Sequence, residues 1–183
     1  MDLREYAPVM ASYNVWMNDK LYGRAARLDD ADRKRDLGAY FKSLHGTFNH
    51  ILLLDKAYLA SFRDEHFELR SFDQELHTDF DELGADRRAT DEAICVWAAT
   101  LYEAALARPM RYFDVARGEL ATRPGWCMVL QLFNHQTHHR GQATTLLKQL
   151  GVDPGVTDFL QLPSLPSAAL GAAAERAPSR TRR

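Results

Sequence analysis

Three of the chain's seven histidines fall within five positions, in the run Asn134-His135-Gln136-Thr137-His138-His139-Arg140-Gly141-Gln142. The run lies inside a segment of helical periodicity, where a step of about 100° per residue separates the three rings. His139 lies about 40° round the axis from His135, inside the apolar arc of Met128, Leu132, Ala143, Leu146 and Leu150, with His135 at the edge of that arc. His138 falls on the polar side, with Gln131, Thr145 and Gln149. His135 and His139 therefore point the same way, about 6 Å apart along the axis, the spacing at which two imidazoles share one metal ion. A third ligand must come from another helix, and the segment around residues 45–50 offers two. His50 shares a face with Leu54 and Ala57, whereas His45 borders the stripe of Lys42, Asn49, Lys56 and Arg63 that reads as the solvent side. His50 is the expected third ligand.

Three neutral imidazoles on one divalent ion leave a coordination position open, as catalytic rather than structural zinc sites do. Such an ion acts as a Lewis acid, lowers the pKa of bound water to about 7, or stabilises a thiolate. A structural reading stands beside this one, because a buried imidazole is also satisfied by a carbonyl or a tyrosine. Three desolvated imidazoles without a metal are harder to satisfy than one. Four further residues follow the same logic. Asp55 occupies an apolar position between Phe48 and Phe62; it reads as a structural hydrogen-bond partner of a helix terminus, Tyr13 or Trp16, ahead of an acceptor for a ligand on a neighbouring helix. Cys127 reads as a small buried hydrophobe, and His66 and His77 as surface residues.

Four long helices must position these groups. The first is predicted over residues 3–28, with Tyr6, Met10, Tyr13, Met17, Leu21 and Leu28 on one face. The second is predicted over 38–62. The third runs from Thr78, near a capping sequence, to Ala107, with a seam of Ile94, Trp97, Leu101, Ala104 and Ala105. The fourth covers 126–150 and stops at Gly151, with Pro154 beyond. The acidic connection at 64–77 is long for a bundle loop, so helices two and three need not be adjacent antiparallel neighbours. Residues 110–115 and 119–122 flank Ala116-Arg117-Gly118 and fit a short hairpin. The expected fold is an all-α four-helix bundle with a crossover connection, over residues 1–166. Residues 167–183, with four arginines and one glutamate, read as a disordered basic tail.

Composition narrows the function. Of 183 residues, 46% are hydrophobic and 26% charged, with a formal net charge of −2, which excludes fibrous and wholly disordered classes. No apolar run approaches the roughly 20 residues of a membrane helix, and the first ten residues do not form a signal peptide. Two cysteines make no disulfide framework, so a cytoplasmic location is expected. A nucleic-acid partner is not expected, since the basic excess is confined to the tail. No phosphate-binding loop, serine nucleophile elbow or Cys-x-x-Cys pair occurs.

Three blocks, Tyr13-Asn14-x-Trp16-x-Asn18-x-x-Leu21, Gly46-Thr47-x-Asn49-His50-Ile51-Leu52-x-x-Asp55 and Asn134-His135-x-x-His138-His139-Arg140-Gly141-Gln142, resemble the DinB family of damage-inducible, YfiT-like metalloenzymes. The resemblance spans about residues 3–163 and includes Gly-Val-Asp-Pro-Gly-Val-Thr-Asp at 151–158. It implies a four-helix bundle of crossover-containing topology and a divalent metal, zinc or nickel foremost, on His50, His135 and His139. It also implies a homodimer and a small-molecule substrate. Relatives include a mycothiol-dependent isomerase and bacillithiol S-transferases, so thiol transfer or hydrolysis on a small electrophile is the expected chemistry, with a low-molecular-weight thiol as co-substrate. A stress-responsive metal-binding dimer without turnover is the alternative. Tyr13, Trp16 and Gln142 are the expected pocket residues. Gln142 reads either as orienting a bound water or as packing, and Arg140 as an interface or ion-pair residue.

Overall fold

The computed structural model describes residues 2–114 and 117–165, the side chain of Asp114 excepted. Six helices and a two-stranded sheet follow in the order α1 (Leu3–Ala25), α2 (Asp30–Lys34), α3 (Leu44–Arg63), α4 (Phe80–Ala99), α5 (Glu103–Ala107), β1 (Pro109–Asp114), β2 (Glu119–Pro124) and α6 (Gly125–Gln149). None of these helices is long and apolar enough to cross a membrane. The expected tail at 167–183 lies outside the described residues.

Side-chain caps set the helix starts. Asp2 and Glu5 form a capping box on α1, Ser43 Oγ accepts from the Gly46 amide, and Asp79 accepts from the amides of Asp81 and Glu82. The second long helix therefore begins at Leu44, six residues later than its periodicity suggested. Residues 38–43 instead form a tight turn closed by the Ala39–Lys42 bridge, with Lys42 left-handed at φ 64°. A β-carbon at Gly46 would collide with the Phe41 carbonyl oxygen, so glycine there lets this turn lie against α3. The segment predicted as one helix over 78–107 breaks at Thr100, whose hydroxyl donates to the Trp97 carbonyl, and resumes as α5. At the far end, Gly151 (φ 77°) and Val152 donate to the carbonyls of Lys148 and Leu147, a Schellman stop for α6.

Pairings between helices define the topology. Asp55 meets Arg87 and Phe62 stacks on Trp97, so α3 and α4 run parallel. Asn14 meets Asp91 and Tyr22 meets Phe80, so α1 opposes α4. His50 meets His139 and Tyr58 meets His135, so α3 opposes α6. The connection at 64–79 thus travels back along the whole bundle, which is why it is long. The β1–β2 hairpin pairs Pro109 with Pro124 through Asp114 with Glu119, close to expectation. Residues 151–165 return along α1, where the Tyr13 hydroxyl donates to the Thr157 carbonyl at 2.6 Å.

Two apolar clusters make the core. One gathers Met17, Leu21, Leu44, Phe48, Leu52, Leu83, Leu146 and Leu147; the other gathers Ala11, Leu59, Ile94, Trp97, Val129, Leu132 and Phe133. A buried polar layer of Asn14, Asn18, Asp55, Arg87, Asp91, Gln136 and Arg140 lies between them. Arg87 reaches Asp55 Oδ2 and Asp91 Oδ1 at 2.7 Å each. Gln136 donates to Asp55 at 3.0 Å, and Asn14 and Asn18 donate to Asp91. Arg140 donates to Asn14 Oδ1, with its guanidinium 5.3 Å from the Tyr13 ring centre. It is a core cation 3% exposed, so the interface role expected of it does not apply.

The polar stripe of α3 is corrected in the same way. Lys42 and Arg63 are exposed, but Asn49 is only 2% and His45 only 1% exposed. Asn49 Oδ1 accepts from the amides of Leu76 and His77, its amide donates to the His77 carbonyl, and His45 Nε2 lies 2.8 Å from that same oxygen. The returning crossover covers this stripe and needs its polar groups to satisfy its own backbone. Lys56 bonds Asp86 of α4, as does His77, which is half-buried rather than free at the surface; His66 is exposed.

Candidate metal centre

The antiparallel contact of α3 with α6 brings His50, His135 and His139 together, with one ligand atom from each within 4.8 Å of the others. His50 is 5% exposed and the other two are half-buried. Two of the rings are anchored through Nδ1. His50 Nδ1 lies 2.7 Å from the Phe72 carbonyl of the crossover, and His139 Nδ1 lies 2.8 Å from Gln142 Oε1. Each Nδ1 donates its N–H to the oxygen facing it, so the ring proton sits on Nδ1 and Nε2 carries a bare lone pair, the tautomer that a metal ligand requires. Phe41 stacks on His50 at 3.8 Å between ring centres, which the tight turn before α3 makes possible.

His50 Nε2 and His135 Nε2 lie 3.1 Å apart. Without an ion, His135 either turns a second lone pair on that of His50 or donates through Nε2 and leaves Nδ1 bare. Its Nδ1 is buried and without a hydrogen-bond partner. Two imidazole nitrogens on one zinc, each bonded at about 2.05 Å, would sit roughly 3.3 Å apart in a tetrahedral arrangement. The donor set therefore fits a divalent ion. Burial, with the nearby His139, holds the His50 ring at a pKa of about 4; burial and its three histidine neighbours hold His135 at about 3. Burial also lowers His139. At neutral pH all three are uncharged and ready to bind.

The histidines form one wall of a cavity of about 840 Å³. Leu54, Ala57, Tyr58 and Met128 supply its apolar floor, Phe72 and Leu69 come from the crossover, and Arg111, Tyr112, Phe113 and Arg123 come from the hairpin. Of the expected pocket residues, Gln142 lines this cavity, but Tyr13 and Trp16 do not. Tyr13 packs on Phe159 of the returning segment and Trp16 lies under Lys20, on the far side of α1. Cys127, read as a buried hydrophobe, lines the cavity and is half-buried. Asp55 is a structural hydrogen-bond partner, as expected, but of none of the three groups named for it; it is held by Arg87 and Gln136. Tyr58, whose ring lies 6.2 Å from that of His135, went unnoticed in the sequence, as did the two hairpin arginines. Tyr58 lies two turns along α3 from His50, a spacing that could have flagged it.

The family model for the DinB family matches residues 2–169. This chain belongs to the DinB family. Protein DinB of Bacillus subtilis (strain 168) is 21% identical over 164 residues, covering 86% of this chain and 93% of that protein. The crystal structure of a DinB-like protein from Bacillus cereus ATCC 10987 superposes with a TM-score of 0.58 at 20% identity, over 76% of this chain and 90% of that one. At such identity the likeness establishes the fold, and the DinB helical architecture expected from the motifs is the one this chain adopts.

Proposed function

We propose that this DinB-family chain is a divalent-metal-dependent enzyme that acts on a small molecule at the His50, His135 and His139 site, by thiol transfer or hydrolysis. One observation carries the reading: three imidazoles, held neutral and two of them locked by hydrogen bonds with Nε2 free, converge on the wall of a cavity of small-molecule size. A bound zinc or nickel ion would supply Lewis acidity and stabilise a thiolate or hydroxide. The protein's own residues do the rest. Phe72 and Gln142 fix the rings, and Phe41 shields one face of His50 from water. Tyr58, whose hydroxyl burial holds above the usual phenol range against a hydrogen bond with Gln131, stays protonated beside the cavity. A homodimer and a cytoplasmic location belong to the same proposal.

The test is elemental analysis of tag-free protein beside His139→Ala and His50→Ala, purified at neutral pH because protonated imidazoles do not bind. About one ion per chain in the parent, absent from both variants, is expected. Background metal in the parent after reconstitution overturns the proposal. Loaded protein is then assayed with a low-molecular-weight thiol and a panel of electrophiles and esters. Turnover lost in His139→Ala supports the enzyme; metal binding with no turnover across the panel leaves the non-catalytic alternative.

A further inference from the structure

The cavity beside the histidines is a groove with the candidate metal centre at one end. On α3 it is lined by His50, Leu54, Ala57, Tyr58 and Ser61, a single helical face that spans about 16 Å at 1.5 Å per residue. The facing wall is α6, which runs antiparallel, so Gln131, Met128 and Cys127 lie beyond His135 toward the Ser61 end. Phe41 closes the histidine end, its ring centre 3.8 Å from that of His50 and 5.6 Å from that of His139. The hairpin forms a roof along the length. Its base is tied to the start of α6, where the Gly125 amide donates to the Arg108 carbonyl at 2.8 Å. Toward its tip, Phe113 lies 6.5 Å from the ring of Phe72, whose carbonyl holds His50. Arg111 and Arg123 are exposed and, by the strand register, on opposite faces, so they stand at the rim and give no joint anchor for one charged group. Between the histidines and Ser61 the walls are Leu54, Ala57, Tyr58 and Met128, and the small side chains of Ala57 and Ser61 leave the space open.

We propose that this groove takes a slender apolar molecule end-on, with the reacting group at its terminus against the histidines and its body laid along α3 toward Ser61, beneath the hairpin. The apolar walls give the body a place to leave water, and each methylene that does so strengthens binding about fourfold. A reacting group in mid-chain does not fit, because the second arm of such a molecule would run into Phe41, which is packed on His50. Length is set by the far end. With its head at the histidines, an extended chain of about eight carbons, at roughly 1.3 Å each, reaches the level of Ser61. The helices thus fix where reaction occurs, and the distance from His50 to Ser61 fixes the size of the molecule. This deepens the proposed function and rests on it for which end of the molecule reacts.

Isothermal titration calorimetry with two homologous series tests this. Zinc-treated protein receives butano-, hexano-, octano- and decanohydroxamate, whose head group binds zinc, and metal-free protein receives the 1-alkanols of the same lengths. The parent should bind each series about three- to fourfold more tightly per methylene up to the eight-carbon member, and gain nothing further at ten. Ser61→Trp, which fills the far end, should move that plateau to the six-carbon member and leave the four-carbon member unchanged. Ala57→Leu, nearer the histidines, should weaken the six- and eight-carbon members about tenfold. The branched isomer 2-propylpentanohydroxamate, with its head group in mid-chain, should bind at least about tenfold more weakly than octanohydroxamate. Affinity independent of chain length, a plateau that neither variant moves, or an isomer that binds as tightly as octanohydroxamate would each overturn the proposal. Zinc content is measured on the same samples. Alkanol affinity that climbs to the same plateau without zinc uptake keeps the groove and removes the metal reading; zinc uptake with no dependence on length does the reverse.

Discussion

The polar layer and the histidine cluster are neighbours along α6, where Gln136 follows His135 and Arg140 follows His139, yet they are built on opposite plans. The layer is closed. Its two carboxylates and two guanidinium groups are buried and share hydrogen bonds with Asn14, Asn18 and Gln136, between apolar clusters that keep water away. The cluster is open. Its rings face a cavity, and His135 Nδ1 is buried without a hydrogen-bond partner; the layer also leaves Asp55 Oδ1 and Gln136 Oε1 without one, but that cavity does not reach them. Charges sealed in the core need every partner they have, because removing one strands the others in a poor solvent for ions. Neutral imidazoles beside a cavity lose less when one is removed, and the nitrogens they leave unsatisfied are available to an ion. The layer serves the fold and the cluster is where the proposed chemistry would sit, although both are polar groups on the same helices.

Arg87→Leu should break the contrast most forcibly. It leaves Asp55 and Asp91 buried without their shared cation, and chemical denaturation should show a loss of about 3–5 kcal/mol. A loss below about 1 kcal/mol would mean that water already reaches the layer. On the other side, His139→Ala should change the stability of metal-free protein little but abolish the stabilisation by metal, which for the parent amounts to about 2.7 kcal/mol at a hundred times the dissociation constant. Thermal unfolding with and without a chelator reads both quantities. Equal destabilisation of the metal-free protein by the two variants would erase the distinction.

The pH dependence separates the regions by sign. One guanidinium shared between two carboxylates cannot offset the burial of both, so Asp55 is pushed up to about 6 and Asp91 is raised as well. Burial works against the charge of Arg87, but Asp91 and Asp55 outweigh it and hold it above the usual arginine range. Between the ordinary carboxylate value of 3.8 and about 6, folded Asp55 binds more proton than unfolded Asp55, so its contribution falls as pH rises through that window. His50, lowered from 6.5 to about 4, behaves oppositely: its contribution is complete above 6.5 and is lost as pH falls toward 4. In metal-free protein, the stability gap between parent and Asp55→Asn should widen by about 2 kcal/mol from pH 6 to pH 4. The gap between parent and His50→Ala should move the other way over the same range. Gaps that stay constant would show that neither group titrates as its burial demands. Gln142→Leu makes the smallest change. It frees the His139 ring from its Oε1 anchor and should weaken metal affinity about tenfold, leaving stability without metal unchanged. Unaltered affinity would show that packing alone orients that ring.

Periodicity located four long helices, although the second starts six residues later than expected and the third breaks at Thr100, and the angle of each histidine about its own axis selected His50, His135 and His139 before any contact was known. Both are local properties: a side chain's direction is set by its backbone, and apolar spacing records which face must leave water. Where reading by helical angle failed, the cause was a second piece of chain. Asn49 and His45 lie on a polar stripe whose polarity was read correctly, but the crossover lies on it and takes its hydrogen bonds. Asp55 was recognised as a carboxylate in an apolar position, while its partner, Arg87, sits 32 residues away on a parallel helix. Tyr13 and Trp16 have aromatic rings suited to a pocket but face the segment that returns along α1. The sequence alone determined the four long helices, the stop at Gly151 and the three ligand candidates, because these depend on residues within a few positions of one another. The tertiary structure alone decided which polar face is covered, which charges neutralise each other in the core, and that the crossover and the hairpin line the histidine cavity. Those outcomes depend on chain reversals that bring distant residues together, and no single helix records them.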